Sequence, residues 1–279
     1  MKKGYRALLL DIDGTILDEN GVLTKRTSDA IRRAVNEGIV VILTTGRSVP
    51  GTTYIHQQLD LTTPCICFNG LIIFDPDSEE WMRVSELPQE ALQSLKEWAH
   101  DLTTFFFVTT KDTYYTVTAQ SQEQHRIMEL VGSVRQLPSF DELPKNGVVK
   151  VQCFCSDNQR IELCKRVEES PWAKKIKKRF FPLETLPELA DFPLVYVDLE
   201  PASRGKAEAV LYVEETYGIP YDEVIAVGDQ VNDIPMIEAA GLGVAMGNAH
   251  EDLKTKADLI IGGNYDDGLA TFIEGMLDG

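Results

Sequence analysis

Two carboxylates stand one residue apart in Asp11-Ile12-Asp13, directly after the apolar run Ala7-Leu8-Leu9-Leu10 and just before Gly14-Thr15. A strand that ends in charge and then in a glycine turn is where open α/β sheets present ligands, since glycine lets the chain turn sharply. Carboxylates so close together cost free energy without a cation; the bland alternative is an acidic turn solvated at the surface. Three further segments place polar residues after an apolar run or at a helix start. Thr44-Thr45-Gly46-Arg47 follows Ile39 to Leu43, Gly228-Asp229-Gln230-Val231-Asn232-Asp233 follows Val224 to Val227, and Ser203-Arg204-Gly205-Lys206 opens a predicted helix. In a doubly wound sheet, parallel strands deliver such segments to one edge, so residues as far apart as Asp11 and Lys206 converge.

The elements that must position these residues are legible in outline. Ala7 to Leu10 reads as a buried strand, Ser28 to Glu37 as a helix closed by Gly38, and Ile39 to Leu43 as a second buried strand, which together form a βαβ unit. Cys65 to Phe68 and Leu71 to Phe74 flank Asn69-Gly70, a dipeptide suited to a two-residue hairpin turn, and this hairpin needs no catalytic explanation. From about Glu86 to Phe192 the texture changes. Strands over Phe105 to Val108, Tyr114 to Thr118, Val148 to Phe154 and Ile176 to Phe181 alternate irregularly with helical and proline-marked stretches, as in an inserted α+β module. After Pro201 the regular alternation returns: a helix from Ser203 to Tyr217 stopped by Gly218, a strand over Val224 to Val227, a helix over Pro235 to Ala240, a strand over Gly243 to Met246 and a closing helix over Phe272 to Leu277. The expected division is residues 1–85 with 193–279 as an α/β core, and residues 86–192 as the insert.

Composition narrows the partners. With 44 acidic residues against 27 basic ones and a formal charge of −17, the chain opposes general electrostatic attraction to a nucleic-acid backbone or an anionic membrane. The basic run Lys174, Lys175, Lys177, Lys178 and Arg179 fits a strand edge on which lysines discourage unwanted pairing. No apolar run reaches the length of a membrane span, and no cleavable signal pattern follows Met1, so a cytoplasmic protein is expected. Five cysteines, Cys65, Cys67, Cys153, Cys155 and Cys164, include two C-x-C pairs that read as small buried strand residues rather than zinc ligands, and they suit a reducing compartment. His56, His100, His125 and His250 are scattered and read as packing or surface residues; Phe105, Phe106, Phe107, Tyr114 and Tyr115 suit strand packing, with stacking on a substrate ring as the alternative.

Taken together, Asp11-Ile12-Asp13-Gly14-Thr15, Thr45-Gly46-Arg47, Asn69-Gly70, the glycine-lysine helix start, Gly228 to Asp233 and Gly243-Val244-Ala245-Met246-Gly247-Asn248-Ala249 resemble the haloacid dehalogenase-like (HAD) phosphatases, and more narrowly the Cof-type branch with a large inserted type IIB cap. The resemblance covers nearly the whole chain and implies a Rossmann-like doubly wound core with an α+β cap. It implies a magnesium-dependent phosphatase of small phosphorylated metabolites, with Asp11 as nucleophile and Asp13 as acid and base. Asp11, the Asp13 carbonyl and Asp229 would hold Mg2+, with Asp233 supporting the shell, while Thr45, Gly46, Arg47 and Asn232 would bind the phosphoryl group. Many relatives carry lysine immediately before the glycine of the helix start. Here that place is Arg204, with Lys206 two residues on, and either could neutralise the phosphoryl oxygens. Two other readings fit the same motifs: a phosphomutase of hexose phosphates, and a protein that binds phosphometabolites with little turnover. The physiological substrate and the oligomeric state are not legible.

Overall fold

The computed structural model describes residues 4–103, 105–117, 121–131, 133–183, 189, 191–203 and 205–279. The chain opens with β1 (Ala7–Leu10), whose four apolar residues are fully buried. Helix α1 (Lys25–Asn36) begins earlier than the sequence suggests, because the Thr24 hydroxyl caps it by accepting from the Thr27 N–H at 3.2 Å. Strand β2 (Val40–Leu43) follows, then α2 (Val49–Gln58), which periodicity did not reveal: its buried positions include Thr52 and His56 alongside Val49 and Ile55. Strands β3 (Cys65–Cys67), β4 (Ile72–Asp75) and β5 (Glu80–Val84) form a small separate sheet.

Next come α3 (Gln89–Leu102), β6 (Phe105–Thr110), β7 (Tyr114–Val117), α4 (Gln122–Val131), β8 (Val134–Leu137), β9 (Val148–Cys155), α5 (Asp157–Glu169), β10 (Ile176–Pro182) and β11 (Val195–Pro201). The chain then continues through α6 (Glu208–Tyr217), β12 (Val224–Gly228), α7 (Ile234–Ala239), β13 (Leu242–Ala245), α8 (Glu251–Lys254), β14 (Leu259–Ile260) and α9 (Gly268–Asp278). It divides into two compact units, Met1–Arg83 with Ser203–Gly279, and Val84–Ala202. The return to the first unit comes later than residue 193, because β11 pairs antiparallel with both β9 and β10 and so belongs to the inserted sheet. This corrects the sequence boundary.

In the first unit five parallel strands run in the order β14-β13-β12-β1-β2. With β1 between β12 and β2, successive connections leave in opposite directions at β1, and this makes the switch point at which such sheets bind ligands. The register sets Leu10 beside Leu43 on one side and beside Val227 on the other, so all three strands end level. The insert is a six-stranded mixed sheet in the order β10-β11-β9-β6-β7-β8. Phe106, Val108, Val151, Cys153 and Val197 face Leu92 and Leu95 of α3 and Leu163 and Val167 of α5. Phe105, Phe107 and Phe154 pack on the opposite face with Ile127 of α4 and Phe192. The phenylalanine triplet is therefore packing on both faces of one strand.

The basic run starts in the turn before the edge strand β10 and continues along it: Lys175, in the turn, pairs with Glu90 at 2.9 Å, and Arg179, on the strand, with Glu200 at 2.6 Å. All five cysteines are free, four of them buried, and burial pushes the Cys67 thiol up to about 12. His56 is buried against the Thr63 carbonyl at 2.8 Å and His250 caps α8, while the His100 side chain lies outside the described residues. Among the described residues no helix is long and apolar enough to cross a membrane.

Candidate active site

Three level strand ends build the site. The Asp11 N–H donates to the Val227 carbonyl at 3.1 Å and the Thr44 N–H to the Leu10 carbonyl at 2.8 Å, so the sheet ladder extends up to the first polar residues. Past Asp11 the chain turns through Asp13 and Gly14, the latter at φ +76°. A Cβ on Gly14 would lie 2.3 Å from Asp229 Oδ2, so both the left-handed backbone and the close approach of Asp229 require glycine here. Asn248 holds this turn from the far side, donating its amide to the Gly14 carbonyl at 2.9 Å.

Asp11, Asp229 and Asp233 are buried, and one carboxylate oxygen from each lies within 4.8 Å of the others. Lys206 is fully buried and donates to Asp11 Oδ1 at 2.5 Å and to Asp233 Oδ1. The other Asp233 oxygen accepts from the backbone N–H groups of Asp229 at 3.0 Å and Gln230 at 2.9 Å. Asp233 is thus a bracket that fixes both the lysine and the Asp229 loop. Gly228 makes room for it, since a Cβ there would lie 2.5 Å from the Asp233 carboxyl carbon. Arg204 lies outside the described residues; Lys206 is seated in the cluster.

Electrostatics follow from this crowding. Burial, and after it the charge of Asp233, pushes the Asp11 carboxyl up to about 8 although Lys206 pulls the other way. Burial and Asp233 also raise Asp229, to about 6. Burial alone would lower the Lys206 ammonium, but Asp11 and Asp233 outweigh it and keep its pKa above the ordinary lysine value. Asp229 Oδ1 is buried with no hydrogen-bond partner. An acidic, oxygen-only cluster with one orphaned oxygen suits a hard divalent cation such as Mg2+, for which Asp11 and Asp229 are the natural side-chain donors.

Asp13 points elsewhere. Its carboxylate takes both prongs of the Arg47 guanidinium, at 2.8 and 2.6 Å, and remains largely exposed. Its side chain is outside the buried acidic cluster, which leaves the backbone carbonyl as its only route to a metal. Thr45 is buried, anchored by its N–H on the Ile66 carbonyl at 2.8 Å, and its hydroxyl accepts from the Arg47 N–H at 3.1 Å, which leaves the O–H proton to donate. Gly46 lies beside the Asn69 amide, where a Cβ would come within 3.3 Å of Asn69 Oδ1.

The turn between β3 and β4 differs from the expected two-residue hairpin. Cys67 pairs with Ile72, so the loop spans Phe68 to Leu71, with Phe68 at φ +48° and Asn69 at φ +55°. It also takes part in the site: Asn232 donates its side-chain amide to Asn69 Oδ1 at 2.9 Å. Sequence reasoning missed Asn69 and Asn248, one taken for turn chemistry alone and the other given no role. No local sequence signal marked Asn69: the left-handed residue beyond the Asn-Gly pair, Phe68, is set by contacts distant in sequence.

The sequence profile of the haloacid dehalogenase-like hydrolases matches residues 8–273. A curated relative from Bacillus subtilis, 5-amino-6-(5-phospho-D-ribitylamino)uracil phosphatase YwtE, is 26% identical across 98% of this chain and 99% of its own. The Escherichia coli pyridoxal phosphate phosphatase YbhA is 29% identical, covering 96% of this chain and 97% of its own. The crystallised HAD subclass IIB sugar phosphatase BT4131 superposes with a TM-score of 0.76 at 22% identity, covering 97% of this chain and 99% of that one, a likeness of fold.

Proposed function

The chain belongs to the haloacid dehalogenase-like hydrolases, enzymes of the phosphate-ester-cleaving kind it resembles throughout, and from that premise we propose that it dephosphorylates a small metabolite through an aspartyl-phosphate on Asp11. The observation that carries this reading is the buried cluster in which Lys206 bridges Asp11 and Asp233 while Asp229 keeps an orphaned oxygen. Mg2+, when held by Asp11, Asp229 and the Asp13 carbonyl, offsets the repulsion between an anionic nucleophile and an anionic substrate.

The protein groups divide the remaining work. An Asp11 oxygen forms a bond to phosphorus as the bond from phosphorus to the leaving oxygen breaks, and Asp13 gives that oxygen its proton. Water then attacks the phosphorus, its proton passes to Asp13, and the bond to Asp11 opens. Lys206, the Thr45 hydroxyl, the backbone at Gly46 and the Asn232 amide receive the phosphoryl oxygens; donors already aimed at that charge are the largest catalytic contribution in phosphoryl transfer. Arg47 belongs to both assignments. Its guanidinium lies on Asp13, and an arriving phosphoryl group competes for the same fork, which would free Asp13 for its proton transfers.

The two relatives are named for phosphomonoesters of small polar compounds, which supports the same broad class here, with the insert assigned to reading the leaving group. The five unpaired thiols support action in a reducing compartment such as the cytoplasm. A screen of phosphorylated metabolites and a generic aryl phosphate, with and without magnesium, tests the proposal. Release of inorganic phosphate only with the metal is expected; wild-type turnover no faster than that of Asp11→Asn overturns it.

A further inference from the structure

Asn232 reaches the site from the Val231–Asp233 turn after β12, and where its amide points depends on what its side chain meets. The described partner is Asn69, whose Oδ1 accepts from Asn232 Nδ2 at 2.9 Å. Asn69 is itself held by unusual means. Its N–H donates to the Thr45 carbonyl at 2.9 Å and the Phe68 N–H donates to the Arg47 carbonyl at 3.0 Å, so the loop is clamped to the segment that supplies Thr45. Two successive non-glycine residues, Phe68 and Asn69, adopt the left-handed region, which costs free energy for Phe68 and is tolerated by asparagine. Gly70 at φ +95° then approaches the Gly205 carbonyl so closely that a Cβ would lie 2.3 Å from it, next to Lys206. Gly46 in turn leaves the space occupied by the Asn69 amide, 3.3 Å from where its own Cβ would be.

We infer that Asn69 is a positioning residue: its side chain takes up one N–H of Asn232 and so aims the other at the phosphoryl group, in register with Thr45. The loop joins all three segments that meet the phosphoryl oxygens, and its strain serves to put one amide oxygen at one place. The inference rests on the phosphoryl-binding role proposed for Asn232. A hydrogen bond to an anionic group contributes about tenfold or more in affinity when correctly aimed, so the loss of aim is measurable.

The test is a double-mutant cycle between Asn69→Gly and Asn232→Ala, read by calorimetric binding of inorganic phosphate with magnesium present and separately by turnover of an aryl phosphate. Glycine keeps the left-handed backbone without strain and removes only the amide; Asn69→Ala removes the amide and adds strain. Both Asn69 variants are expected to weaken phosphate binding by about tenfold, with only Asn69→Ala lowering the melting temperature appreciably. In the Asn232→Ala background Asn69→Gly should have no further effect. Additive losses, a loss seen only with Asn69→Ala, or no loss from Asn232→Ala each overturn the inference. Phosphate binding that follows this cycle in a protein without turnover would leave the positioning role standing and remove the proposed hydrolysis.

Discussion

At the scale of single residues, charge balance inside the site governs what each substitution does. Lys206 compensates two buried carboxylates at once. Lys206→Met should therefore destabilise the metal-free protein by about 3–5 kcal/mol, the cost of buried charges left without a partner, as read from denaturant midpoints. A loss below about 1 kcal/mol would mean that the lysine is dispensable to the balance. The pH dependence has a definite sign. Because Asp11 and Asp229 are raised to about 8 and about 6 from the ordinary aspartate value of 3.8, the folded state binds more protons than the unfolded one between about pH 4 and 8. Their contribution to stability is therefore present at low pH and lost as pH rises through that window. Magnesium binds the deprotonated forms, so its stabilisation should grow over the same range. Thermal melts in chelator and in magnesium should diverge more at pH 8 than at pH 5; equal divergence at both would contradict the assignment of these aspartates to the ion.

Elements matter through where they end. The level finish of β1, β2 and β12 could be anticipated from three apolar runs, each followed by polar residues, and so could the convergence of Asp11, Thr45 and Asp229. Two features could not. Helix α2 carries Thr52 and His56 on its buried side, so apolar spacing does not mark it. The loop from Phe68 to Leu71 is shaped by tertiary contact with Thr45, Arg47 and Gly205, none of which is local in sequence. Similarly, β11 follows a proline-rich stretch that suggests a boundary, and its membership in the inserted sheet is decided by pairing with β9 and β10. The turn after β1 gives an element-scale prediction. Gly14→Ala places a Cβ 2.3 Å from Asp229 Oδ2 in a left-handed turn, so magnesium affinity should fall by about tenfold or more while the β-sheet persists, as followed by calorimetry and circular dichroism. Unchanged affinity would mean that Asp229 is free to move away from the turn.

For the whole molecule, a strongly acidic chain handles anionic substrates by concentrating cations locally: one buried lysine, one arginine fork, and a pocket of aspartates suited to a divalent ion. The inserted unit carries its own apolar clusters on both faces of a six-stranded sheet. Residues 84–202 expressed alone should consequently fold and unfold cooperatively in urea; a featureless, non-cooperative titration would show that the insert depends on the rest of the chain. In the proposed mechanism every residue that meets the phosphoryl group, Asp11, Thr45, Lys206 and Asn232 among them, belongs to the first unit. The most direct test is to quench the enzyme in acid during turnover of a phosphomonoester with magnesium and to locate phosphate by peptide mass spectrometry. The mechanism predicts a phosphoryl group on the peptide at Asp11, absent from Asp11→Asn; phosphate released at full rate with no modified Asp11 at any quench time would contradict it.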